Sequence, residues 1–95
     1  MTRYITLLRF TDQGAKNLPQ STSRARAFKE MATKAGVKVE GQYWTAGPYD
    51  GVLIVSGDDE KKVLRSLAVL AAKGNVRTQT MRAFDGAEFK AIAGK

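Results

Sequence analysis

The sequence predicts an α+β domain: one four-stranded antiparallel sheet with two helices on one face. Three observations predict it. Two segments of helical periodicity separate four segments rich in strand formers, in the order β-α-β-β-α-β. The chain has 95 residues, the size of one domain (1–95), and no repeat or low-complexity linker divides it. The first and third strands are apolar on both faces, whereas the second and fourth carry polar residues, so the apolar pair belongs in the centre of the sheet. This is the split βαβ, ferredoxin-like arrangement, with spatial strand order 4-1-3-2.

The elements follow in order. YITLLRF (Tyr4–Phe10) is rich in strand formers and too short for a helix. TDQGAKNLPQSTS (Thr11–Ser23) collects Gly, Pro, Asn and Ser and reads as a long loop. Arg24–Ala35 reads as a helix, with Ala25, Phe28, Ala32 and Ala35 on one face and Arg26, Lys29, Glu30, Thr33 and Lys34 on the other. Ser23 is its expected N-cap and Gly36 its closing glycine. Val37–Trp44 alternates with period two, and Gly41 within it marks a bulge or a close contact. Gly47-Pro48-Tyr49-Asp50-Gly51 reads as a turn, in which Pro48 fixes the backbone and Asp50-Gly51 favours a left-handed conformation. Val52–Ser56 is a short, continuously apolar strand. The second helix starts at Asp58, where Asp59 and Glu60 suit the positive end, carries an apolar stripe from Val63 to Ala71, and stops at Gly74-Asn75. VRTQTMRAF (Val76–Phe84) is the last strand, and DGAEFKAIAGK (Asp85–Lys95) a short C-terminal helix.

A strand that is apolar on both sides is buried on both sides. The helices cover one face of the sheet, so a second copy packed sheet against sheet is the simplest cover for the other. A homodimer built as a two-sheet α/β barrel is therefore expected. A lone core is thin at this size, which oligomerisation remedies.

Composition narrows the chemistry. The chain contains no cysteine and no histidine, which excludes disulfides, thiolate chemistry and a histidine-based triad, and leaves no conventional zinc or haem ligands. No metal and no cofactor is expected. MTRYITLLRF has neither the apolar run nor the cleavage site of a signal peptide or membrane span, which points to a cytoplasmic protein without membrane contact. Net charge is +7, with eight Lys/Arg against three acids in residues 1–47 and eight against six in 48–95. The stripe Arg24, Arg26, Lys29 and Lys34 reads first as a solvated helix face. Nucleic-acid binding is disfavoured, because VRTQTMRAF lacks the aromatic pattern that stacks bases on such sheets.

FTDQG (Phe10–Gly14), YWTAGPYDGVLIV (Tyr43–Val55) and GNVRTQTMRAF (Gly74–Phe84) together resemble the GYD-domain family of small, mostly bacterial proteins. Here the Gly-Tyr-Asp signature is interrupted, as Gly47-Pro48-Tyr49-Asp50. The resemblance implies a dimeric α/β-barrel fold and carries no defined activity.

Chain direction in this topology brings three connections to one end of the sheet: Thr11–Ser23, the Gly47–Gly51 hairpin and the Gly74–Arg77 turn. Asp12, Gln13, Trp44, Tyr49, Asp50, Asn75 and Arg77 converge there, as polar groups with an aromatic wall do at a ligand site. The bland alternative is that turns need such residues, that Trp44 is core or interface, and that Arg77 and Arg82 protect a sheet edge. Three functions follow. The first is a dimeric small-molecule binding or sensing domain. The second is a cofactor-independent enzyme, monooxygenase- or isomerase-like, with Asp50 as base, Tyr49 as acid and Arg77 steadying an anion. The third is a nucleic-acid or acidic-partner binder working through the basic surface.

Overall fold

A computed structural model describes residues 1–94, so the expected C-terminal helix is seen up to that point and its last residue, Lys95, lies outside the described residues. The elements are β1 (Thr2–Phe10), α1 (Asp12–Lys16), a 3-10 turn (Leu18–Gln20), α2 (Ser21–Lys34), β2 (Lys38–Trp44), β3 (Gly51–Gly57), α3 (Glu60–Ala72), β4 (Val76–Ala83) and α4 (Gly86–Ala93). The strands form one sheet in the order β2-β3-β1-β4, with every neighbouring pair antiparallel. The two apolar strands, β1 and β3, are central, as their composition requires.

One face of the sheet makes the core. Tyr4 of β1 and Leu53 and Val55 of β3 pack against Phe28 and Ala32 of α2 and Val63 and Leu67 of α3. Thr6 is fully buried on this face, and its hydroxyl meets that of Thr80 on β4 at 3.0 Å. The opposite face carries Ile5 and Leu7 of β1 and Val52 and Ile54 of β3, all half-buried, with Met81 and Tyr43 exposed beside them. No element among the described residues covers it in the way α2 and α3 cover the first. The molecule is accordingly thin, 49 × 31 × 17 Å, and its radius of gyration is 14.1 Å. A compact domain of this length is expected near about 12.4 Å.

Four local expectations need correction. Thr11–Ser23 is not one long loop. Thr11 caps α1 by accepting the Gly14 N–H at 3.2 Å, and a 3-10 turn begun by Leu18-Pro19 leads straight into α2. For that reason α2 starts at Ser21 rather than after Ser23, and its first turn has no side-chain cap. The cap of α3 is Asp59, which accepts the Lys61 N–H at 3.0 Å, while Asp58 lies 3.8 Å from the Met1 amine. In the hairpin the left-handed residue is Gly47, at φ 150°, and Gly51 does not share it; Gly51 already belongs to β3, where a Cβ would stand 3.0 Å from the Tyr43 carbonyl oxygen. Gly41, by contrast, marks a real irregularity: the register slips between Val39 and Gly41. The slip changes the parity of β2, so that Gln42 and Trp44 join Val39 on the helix side and Tyr43 turns to the open face.

Candidate functional site

The three connections do meet. Thr11 donates its backbone N–H to the Asn75 carbonyl at 3.1 Å and its hydroxyl to the Gly74 carbonyl at 2.6 Å. Gln13 spans the same turn, donating to the Lys73 carbonyl at 3.1 Å and to the Asn75 side chain at 2.9 Å. Gly14 is buried because α1 lies directly on this turn: a Cβ there would collide with the Asn75 carbonyl oxygen. The Gly47–Gly51 hairpin is tied to β1 by Asp50 in two ways. Its N–H donates to the Leu8 carbonyl at 2.8 Å, and its Oδ2 accepts the Phe10 N–H at 2.9 Å. Within the hairpin, Thr45 donates its N–H to the Asp50 carbonyl and its hydroxyl to the Tyr49 carbonyl, at 2.9 and 2.6 Å.

The seven residues expected at this end do not form one cluster. Trp44, Asp50 and Asn75 line a cavity of about 160 Å³ between the sheet and α2. Its wall is apolar, built from Leu8, Phe10, Phe28, Met31, Leu53 and Leu70, and its polar side includes Arg24 and Gln42. Trp44 is half exposed and closes the rim, where its indole N–H donates to the Ser21 hydroxyl at 2.9 Å. Gln42 donates to the Ala25 carbonyl at 2.9 Å, which fixes β2 against α2. Arg24 donates to the carbonyls of Asn17 and Gly14, at 2.8 and 3.4 Å, and holds the first connection over the cavity. Asp50 Oδ1 has no protein donor among the described residues, so one carboxylate oxygen is free for a guest.

Tyr49 and Arg77 lie on the other side. Tyr49 crosses the open face, its hydroxyl donating to Gln79 Oε1 on β4 at 2.6 Å, with the Arg9 guanidinium 4.8 Å from the ring centroid. Arg77 stands opposite Arg9 in the β1–β4 register. Asp12 is exposed at the start of α1, and Gln13 serves to clamp the turn. The hydroxyl of Tyr49 and the carboxylate of Asp50 thus point to opposite faces of the sheet and do not make an acid–base pair. Sequence reasoning misses Arg9, Ser21, Arg24 and Gln42 as parts of these sites. The signal for Gln42 is the Gly41 bulge, which re-aims every residue after it. Helical spacing puts Arg24 on the solvated stripe, whereas its guanidinium turns back to the first connection.

The GYD-domain family profile matches residues 4–93. This chain belongs to the GYD-domain family. A Thermus thermophilus protein described as a glutamine synthetase and cystathionine beta-lyase binding protein is 36% identical over 89 residues, covering 93% of this GYD chain and 94% of that protein. The crystal structure of TTHA0845 from the same organism superposes with a TM-score of 0.56 at 25% identity, covering 90% of this chain and 96% of that one. No helix among the described residues of the GYD domain is long and apolar enough to cross a membrane.

Proposed function

We propose that this GYD domain is a cytoplasmic binding module that works as a homodimer and takes a small molecule into the cavity behind Trp44. The cavity carries the reading. It is about 160 Å³, close to the ~150 Å³ that accommodates a benzene-sized guest. It is walled by apolar side chains and holds a carboxylate with one oxygen free. The matching guest is a small, mostly apolar molecule with one hydrogen-bond donor for Asp50. The bare face of the sheet supports the dimer: Ile5, Leu7, Val52 and Ile54 form an apolar centre, and the single chain is thinner and more extended than a self-sufficient domain.

The chain contains one tryptophan, so its fluorescence reports on the rim of the cavity without labelling. A panel of small aromatic amines and alcohols is titrated and Trp44 emission followed. A saturable change that is lost in Ala25→Phe, which places a ring in the cavity wall and adds no second tryptophan, supports the reading; a panel without any saturable change sinks it. Light scattering tests the dimer, and Ile54→Lys on the bare face is expected to yield a 10.4 kDa monomer.

A second reading has its own support. The Thermus relative is described by the enzymes it binds, and this chain carries a net charge of +7. A protein partner with an acidic surface fits both. Purified glutamine synthetase, mixed with this protein and sedimented at low and high salt, tests it; no co-sedimentation at low salt removes that partner. The enzyme reading is not preferred, because Tyr49 and Asp50 are on opposite faces.

A further inference from the structure

The open face of the sheet has two polar ends, and they are built differently. At one end Arg3 is neutralised twice: its Nε is 3.2 Å from Glu40, and its Nη1 is 3.7 Å from Glu88. At the other end Arg9 of β1 stands directly opposite Arg77 of β4. Both are exposed, and neither takes part in an ion pair among the described residues. Two like charges opposite each other across an antiparallel ladder cost stability. The nearest acid of the hairpin, Asp50, gives its Oδ2 to the Phe10 N–H and lines the cavity on the far side of the sheet, and it does not pair with them.

One member of the pair is also held in place. The Arg9 guanidinium sits over the ring of Tyr49 at 4.8 Å, a cation–π contact. Tyr49 is in turn fixed by its hydroxyl bond to Gln79, two residues along β4 from Arg77. Because Gln79 accepts through Oε1, its amide nitrogen remains a donor. The patch therefore offers two guanidiniums and an amide, all donors.

We propose that Arg9 and Arg77, with Gln79 beside them, form a seat for an oxyanion, either carboxylate or phosphate. Guanidinium matches both groups with paired, charge-assisted hydrogen bonds. The anion removes the cross-strand repulsion on binding, so it stabilises the fold as it binds. This site is separate from the cavity behind Trp44: it is on the other face of the sheet, at the end beyond the apolar centre of Ile5, Leu7, Val52 and Ile54 that the second copy is proposed to cover. The anion has two sources, a free small anion or a carboxylate presented by a protein partner.

Thermal unfolding in phosphate and in chloride at matched ionic strength tests the seat, on the wild type, Arg9→Gln, Arg77→Gln and the helix-face control Arg26→Gln. The wild type and the control are expected to gain about 5–10 °C in Tm at ten times the phosphate Kd. Arg77→Gln and Arg9→Gln are expected to lose that gain; Arg77→Gln, which removes the repulsion, is expected to unfold in chloride no earlier than the wild type, whereas Arg9→Gln also gives up the contact with Tyr49. A blocked oligoglutamate peptide added in place of phosphate identifies the source. A response to phosphate alone marks a free anion, and a response to the peptide marks a carried carboxylate. Equal phosphate gains in the wild type and both arginine variants overturn the proposal. So does a fall in Tm with loss of the dimer when Arg77 is changed in chloride, because the arginines would then be neutralised by the second copy.

Discussion

Asp50 is the residue on which the hairpin, the first strand and the cavity all depend, and its replacement separates structural from binding roles. Asp50→Ala removes the acceptor of the Phe10 N–H, a half-buried bond of 2.9 Å to a charged oxygen, and leaves the two backbone bonds of residue 50 in place. A hydrogen bond to a charged group contributes about 1.5–3 kcal/mol. Water reaches this position, so the lower part of that range applies, about 1.5–2 kcal/mol. In a domain of this size each kcal/mol moves Tm by about 4–8 °C, which gives a loss of about 6–16 °C. Asp50→Asn keeps a carbonyl oxygen for Phe10 and loses only the charge, so it is expected to cost about 0.5–1 kcal/mol, or about 2–8 °C. Circular dichroism melts at pH 7 and one fixed protein concentration measure both. Equal losses in the two variants would show that the charge, and not the acceptor, holds the hairpin. An Asp50→Ala protein as stable as the wild type would refute the account outright.

Gly14→Ala drives a methyl into the Asn75 carbonyl, so overpacking and a weakened Thr11–Asn75 bond should together cost about 2–4 kcal/mol. Gly86→Ala, which meets nothing within 4 Å, is the neutral control in the same melt. The Glu40 carboxyl is held below its ordinary value of 4.5, first by the Ser56 hydroxyl, which lies beside it outside strict hydrogen-bond geometry, and then by the Arg3 guanidinium, with burial opposing. Its contribution is present above pH 4.5 and lost as pH falls through the native value, so the Tm gap between the wild type and Glu40→Gln should close on acidification. The Tyr4 phenol is raised above its ordinary 10.0, chiefly by donating to Glu60 at 2.6 Å and then by burial. That stability is present below pH 10.0 and lost as pH rises through the native value; an alkaline melt series in which Tyr4→Phe loses as much as the wild type would count against it.

The order of the sheet was legible because apolar residues on both faces of a strand set it apart from its half-polar neighbours. YITLL and VLIV have no alternation, and these two strands, β1 and β3, are the central ones. The helix faces were equally plain, since Phe28, Ala32, Val63 and Leu67 fall at helical spacing. What the sequence hid is short-range or parity-dependent. The α1 helix has five residues and holds a glycine, so its propensity is weak; docking on the Asn75 carbonyl stabilises it, and that is a contact across 61 positions, from Gly14 to Asn75. The split of the site into two faces follows from side-chain direction at single residues. Tyr49 and Asp50 are neighbours in the chain before β3 begins, yet one reaches Gln79 on the open face and the other bonds the Phe10 N–H and lines the cavity. Convergence of the three connections at one end came from chain direction alone, and the same reasoning is blind to which face each side chain takes.

Strand order also has a consequence in time. The first of the four strands to be made, β1, pairs with residues 51–57 and 76–83, the second of which is made 74 residues after Thr2. At ribosomal rates of about 5–20 residues per second, its edges wait roughly 4–15 s for both partners. During that interval YITLLRF is an extended apolar segment open to any other strand in the cell. Arg3 and Arg9 near its ends and Thr6 in its middle break what would otherwise be an aggregating run. Thr6 is 0% exposed, and its hydroxyl bonds that of Thr80, itself open to water, so the finished core gains little from it. It is easily justified from the nascent chain, so a Thr6→Val protein is expected to be as stable as the wild type once folded and still to be recovered in lower soluble yield.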